Sequence, residues 1–232
     1  MQITVTYPES WAEIKLEQYL RFYRATKPYE GTDQYEEEAL EAGALHFCKV
    51  PAEYLYKLPA SKLNKIRQVI YDLLAQTHDL PLIKTFGTED TKYGFIPELD
   101  SMTYGEYLDL VNYTSKDMWK NIPIIMTILY RPIDKTLGSS YTIHPYNGTD
   151  DDRIELFSHA LTMDIVWGAI GFFFHLQRDL LTVTLTYSLE NLKKEKILSP
   201  ETIQALETSI KNGLDITQLQ SLQTMTLPNL TK

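Results

Sequence analysis

The sequence predicts a mainly α protein, a multi-helix bundle with short β-strands or a hairpin near residues 2–7 and 82–96. Three observations carry this. Apolar residues recur at three- and four-residue spacing through several long stretches. Capping residues, prolines and glycines fall where those stretches start and stop. Alternation of the strand kind is confined to two short places. At 232 residues with 44% apolar content, the chain can bury a sizeable core, and disorder is not its class.

"QITVTYP" alternates, is β-branched, and reads as a short strand closed by Pro8. The next stretch, "SWAEIKLEQYLRFYRAT", places Trp11, Ile14, Tyr19, Phe22 and Tyr23 near helical spacing. "TDQYEEEALEAGALHFCKV" is a second helix whose acidic beginning suits the positive end of the helix dipole. Pro51 restarts the chain into a short helix, "PAEYLYKLP". A longer one follows, with Leu63, Ile66, Val69, Ile70, Leu73 and Leu74 on one side. Leu82–Phe86 and Lys92–Ile96 then flank a polar "GTEDT" turn, a hairpin signal.

Helices resume with "TYGEYLDLVNYTS", "DMWKN" and "PIIMTILYR", the last opened by Pro123 at a favoured first-turn position. The stretch 133–149 reads as an irregular connector with some extended character, a domain hinge or an exposed arm. "DDDRIELF" starts another helix, and one long helix is expected from about Leu161 to Lys196. Gly168 and Gly171 interrupt it, to bend it or to allow a close approach by a neighbouring helix. "SPETIQALETSIKNG" is punctuated by Ser199 as N-cap, Pro200 at the first position and Gly213 at the stop. The remainder from Leu214 carries spaced leucines and no charge between Asp215 and Lys232. Removing it is expected to leave a folded body and to weaken association.

The domain reading follows. Residues 1–132 form an N-terminal helical region with small β elements, 150–213 a C-terminal long-helix region, and 214–232 an extended tail, all of which one domain could contain.

One pattern recurs. With an offset of 88, Trp11 aligns with Leu99, Ile14 with Met102, Leu16 with Tyr104 and Gln18 with Glu106. Tyr19/Tyr107, Leu20/Leu108, Phe22/Leu110 and Thr26/Thr114 coincide as well. Thr103 and Glu106 make a capping box, in which each side chain satisfies the other residue's backbone N–H. Lys15 and Gln18 hold the equivalent places and keep half of that chemistry. Two readings stand: shared helix-start grammar, or a duplicated strand–turn–helix unit. Glu106 is occupied by its cap, which speaks against a catalytic role.

Net charge is −9, poorly suited to holding phosphate backbones, so direct sequence-specific nucleic-acid binding is not expected. Lys193, Lys194 and Lys196 could form a local basic face, or a solvated last turn that complements the helix dipole. A single cysteine, Cys48, allows no internal disulfide and sits in apolar sequence. The beginning has no signal-peptide pattern, and the sequons at Asn112, Asn147 and Asn229 are read as coincidence. The ten apolar residues Ile165 to Phe174 are too few for a span and read as a core helix, so no membrane partner is expected.

The histidines, His46, His78, His144, His159 and His175, form no metal motif. His159 with Asp164, or His175 with Asp179, are conceivable dyads; a local hydrogen bond is the simpler account of the second. "GTDDDR", Gly148 to Arg153, clusters carboxylates without calcium-loop spacing and suits a helix N-terminus better. No phosphate loop, dinucleotide fingerprint or nucleophile elbow occurs. The expectation is therefore a non-enzymatic protein with no catalytic residue, cofactor or metal. Sixteen tyrosines, large apolar bodies with polar tips, suit either core packing or protein–protein surfaces.

"FIPELDSMTYGEYLDL … ILYRPI", Phe95 to Ile133, followed by "MDIVWGAIGFFFHLQRDLL", Met163 to Leu181, resembles small virion or assembly proteins of tailed bacteriophages, crAss-like phages above all. The resemblance covers about the central two thirds of the chain. It implies a multi-copy head-to-tail connector, ring or tail component, a homo-oligomer among portal, ring or tail proteins. Such a protein would be made in the host bacterial cytoplasm and located in the virion. The alternatives are an assembly chaperone, a packaged cargo protein or, last, an unrecognised cytoplasmic enzyme. The resemblance brings no catalytic residues.

Overall fold

Periodic apolar spacing becomes helix along most of the chain. A computed structural model describes residues 5–76, 80–97, 102–115, 117–138, 140–194, 202–204 and 208, with the side chains of 173–184, 192 and 194 excepted. Among the described residues, α-helices run α1 Leu16–Thr26, α2 Tyr35–His46, α3 Ala52–Leu55, α4 Ala60–Ala75, α5 Tyr104–Thr114, α6 Met118–Leu129, α7 Asp151–Ala160 and α8 Met163–Lys194. Four strands, β1 Thr85–Gly87, β2 Lys92–Phe95, β3 Tyr130–Leu137 and β4 Ser140–Ile143, pair antiparallel in chain order. The chain is thus mainly α with a small antiparallel sheet.

The strand expected at residues 2–7 is not formed where that stretch is described. Residues 5–7 carry no ladder, and only Thr6 N–H is tied, to the Cys48 carbonyl at 3.0 Å. Residues 1–4 lie outside the described ones. The hairpin at 82–96 is present as β1 and β2, with Phe86 opposite Tyr93. The stretch 133–149 differs from an irregular connector. Most of it continues the sheet, as Thr136 pairs with Tyr141 across a turn where Gly138 takes φ 63°. That left-handed conformation favours glycine.

Pro123 does not open a helix. "DMWKN" and "PIIMTILYR" are one helix, α6, started by Asp117, whose Oδ1 accepts from Lys120 N. Pro123 lies inside it, its side chain buried. The long helix at 161–196 is present as α8. Of "SPETIQALETSIKNG", residues 202–204 and 208 are helical, while Ser199, Pro200, Gly213 and the tail 214–232 lie outside the described residues.

Two units make up the chain, Met1–Gly171 and Phe172–Lys232, so their boundary falls within α8. In the first, all three tryptophans meet. Trp11 stands edge-on to Tyr19, Phe47 and Trp167, with centroids 5.6, 5.9 and 6.0 Å away. Trp119 joins Tyr19 at 4.7 Å and Trp167 at 5.0 Å. Each such pair adds about 0.5–1.5 kcal/mol beyond area burial. The buried indole N–H of Trp11 donates to the Leu73 carbonyl at 2.9 Å, which docks the N-terminal segment on α4. A short bridge joins the starts of α1 and α8: Leu16 N–H donates to Leu161 O and Met163 N–H to Ile14 O.

A second aromatic cluster, Phe86, Tyr93, Tyr130 and Phe157, fixes the sheet against α7. The Tyr130 hydroxyl donates to Ile83 O at 2.7 Å, holding the segment before β1. That segment passes over α8 so closely that a Cβ at Gly168 would overlap the Pro81 carbonyl. The close neighbour at Gly168 is therefore the backbone of the irregular segment before β1, not a helix. Among the described residues, no helix is long and apolar enough to cross a membrane.

Candidate interaction surface

α5 is built like α1 and faces the other way. Both helices have eleven residues, in register at the offset of 88. Their N-caps, Lys15 and Thr103, share extended backbone near φ −74°, ψ 150° and φ −71°, ψ 156°. At the third helical position, Gln18 Oε1 accepts from Lys15 N at 2.8 Å and Glu106 Oε2 from Thr103 N at 2.5 Å. Only Thr103 returns the bond, its Oγ1 accepting from Glu106 N, because the lysine side chain has no acceptor. At the far end Thr26 Oγ1 donates to Phe22 O and Thr114 Oγ1 to Leu110 O.

Burial then diverges. Leu16, Tyr19 and Leu20 of α1 are 0, 7 and 7% exposed, while the aligned Tyr104, Tyr107 and Leu108 of α5 are 75, 51 and 46% exposed. Val111, at 36%, continues the α5 stripe. These four sit at i, i+3, i+4 and i+7, the spacing that normally turns toward a core.

The carboxylates explain the inversion. Glu106 is buried, and its second oxygen, Oε1, lies 2.7 Å from Arg131 Nη2 on β3, itself buried. Asp109, half-buried, accepts from the Tyr146 hydroxyl at 2.6 Å. Burial, then the bond to Asp109, holds the Tyr146 phenol well above its ordinary range. Arg131 is pushed down chiefly by burial, with Glu106 opposing and the Arg153 charge adding to the fall. It keeps its proton regardless. Anchored inward by these groups, α5 presents outward only Tyr104, Gly105, Tyr107, Leu108, Val111 and Asn112, none of them charged. In a chain of net charge −9, that is an uncommon face.

The other residues singled out from sequence do not converge. His159 Nδ1 meets Glu17 Oε2 of α1 at 3.2 Å rather than pairing with Asp164. The side chains of His175 and Asp179, and His78 altogether, lie outside the described residues. Asp150 of "GTDDDR" caps α7, its Oδ1 accepting from Arg153 N at 3.1 Å, with Asp151 and Asp152 in the first turn; helix-terminus chemistry accounts for the cluster. Cys48 is fully buried, and burial pushes its thiol up to about 11. A groove of about 510 Å³ runs between the Tyr7–Glu9 segment and α4. Lys65 Nζ sits 4.2 Å from the Tyr7 ring centroid there, and Asp72 is engaged by Gln68. Among the described residues, no three His, Cys, Asp or Glu side chains stand together as metal ligands would.

Sequence reasoning placed the capping box and missed the surface above it. Both faces of "YGEYLDLVNYT" carry apolar residues, Leu110 and Tyr113 on one and the stripe on the other, so its pattern names no inner side. No protein-family model, curated protein or solved structure matches the chain.

Proposed function

We propose that this chain is a non-enzymatic structural protein that works through protein–protein contacts, as a multi-copy head-to-tail connector, ring or tail component of a tailed-phage virion. The outward face of α5 carries the reading: an apolar, tyrosine-bearing, uncharged stripe over carboxylates held inward. Aromatic residues enriched and charged ones depleted are what mark the cores of protein interfaces. The virion setting rests on the sequence resemblance alone.

Quantitative mass spectrometry of purified particles tests it. Several copies per particle are expected, and a Leu108→Arg chain should be incorporated poorly. A chain absent from finished particles but bound to one phage protein during assembly would instead mark an assembly chaperone.

A further inference from the structure

We propose that Asn147 is a self-modification site: in the folded chain its side-chain amide is attacked by the Gly148 backbone nitrogen and converts to aspartyl and isoaspartyl forms. The change loosens the hold of Tyr146 on α5.

Asparagine followed by glycine hinders this reaction least, because glycine has no side chain to crowd its own nitrogen. Asn64, Asn112, Asn121 and Asn191 lie within α4, α5, α6 and α8. There the next residue's N–H is committed to the helix ladder and cannot turn toward the side chain. Asn147 is exposed and lies in neither helix nor strand, between β4 and α7. Among the described residues, neither its amide nor the Gly148 N–H has a hydrogen-bond partner. Gly148 stands at φ 91°, and glycine moves between such backbone conformations at little cost. A Cβ there would meet nothing within 4 Å, so the loop has room to turn. The other Asn-Gly pair, Asn212–Gly213, lies outside the described residues.

The reaction needs only water. Hydroxide takes the Gly148 N–H proton, and the nitrogen attacks the Asn147 side-chain carbon, Cγ. The N–Cγ bond forms, the Cγ–Nδ2 bond breaks, and Nδ2 leaves as ammonia with a proton from water. Water then opens the five-membered imide. Cleavage at N–Cγ gives an aspartyl residue. Cleavage between the nitrogen and the backbone carbonyl carbon gives an isoaspartyl residue, whose chain runs through the former side chain. One water is consumed, one ammonia is released, and nothing is oxidised.

The position gives the reaction a consequence. Tyr146 precedes it, its hydroxyl donating to Asp109 of α5 at 2.6 Å, and Asp150 follows it as the cap of α7. The isoaspartyl form inserts a methylene between these two anchors and displaces Tyr146 from Asp109. Either form adds a negative charge ahead of Asp150, Asp151 and Asp152, in a chain already at −9.

Mass spectrometry of the full chain, held folded in mildly alkaline buffer, tests the proposal. Trypsin releases Asn147 in residues 136–153 and Asn212 in residues 212–232, so the two pairs are read separately. The 136–153 peptide should gain about 1 Da in two chromatographic forms, about tenfold or more faster than the change at Asn64, Asn112 or Asn121. The rate should rise with pH. Aged protein should unfold at a lower temperature than fresh protein. An Asn147→Gln chain aged alike should not, because glutamine must close a slower six-membered ring. A 136–153 peptide that stays unchanged in the folded chain overturns the proposal. So does a modified chain that unfolds as fresh protein does, or an Asn147→Gln chain that loses the same stability on ageing.

Discussion

Glu106 does two jobs with two oxygens, one on the Thr103 N–H and one on the Arg131 guanidinium. Removing either charge strands the other in the interior, which typically costs about 3–5 kcal/mol. Glu106→Gln keeps an acceptor for the cap, so its loss should report the ion pair. Arg131→Met should cost a similar amount. The double substitution should lose less than the sum by about 1–3 kcal/mol, since it leaves no uncompensated buried charge. Urea unfolding of the four chains measures this. His46 gives a pH signature. Its pKa is held below 6.5, first by burial and then by the Arg21 charge. The unfolded chain then binds the proton more readily than the folded one. Stability should therefore fall as pH drops below 6.5 and level off beneath the folded pKa. His46→Gln should flatten that slope in unfolding series between pH 5 and 7. The cap on Glu106 was legible because its two partners are three residues apart. The ion pair was not, because Arg131 sits on a strand whose position no local pattern reports.

At the scale of elements, the helices were legible and the sheet only half so. Helix signals are local, and caps such as Asp150 act within one turn. β3 depends on β2, a partner far back along the chain, and β4 pairs on β3, so "RPIDKTLGSSYTI" read as a connector until β2 supplied its ladder. Pro123 misled for a related reason. Its missing N–H is tolerated within α6, whose start is fixed instead by the Asp117 side chain. Glycines in α8 separate propensity from packing. Gly168→Ala must push a methyl into the Pro81 carbonyl, and overpacking of this kind costs about 1–3 kcal/mol. Gly171→Ala meets open space and should gain up to about 1 kcal/mol from helix propensity. Thermal unfolding of the two variants should shift in opposite directions. Two downward shifts would show that α8 does not tolerate change at its unit boundary.

For the whole molecule, the two α1-like helices define what an assembly would need. The shared register of α1 and α5 covers the helices themselves, from cap to terminal threonine. Upstream the two differ where they are described: residues 5–7 make no ladder, while β2 does. One helix is finished by the chain's own aromatic core and the other faces outward. An isologous pairing through α5 closes at two copies and cannot by itself build a ring. A larger assembly needs a second, different contact, and the leucine-bearing segment 214–232, uncharged between Asp215 and Lys232, is the natural source in the sequence. The two contacts should then separate by mutation. A chain lacking 214–232 should keep its circular dichroism but lose the larger assemblies that form at high concentration. A Leu108→Arg chain should lose contacts made through the α5 face while retaining whatever the tail binds. Sedimentation of both, alone and mixed, measures this. If tail removal instead unfolds the chain, the tail packs within its own body, and the second contact must be sought on the exposed faces of the folded units.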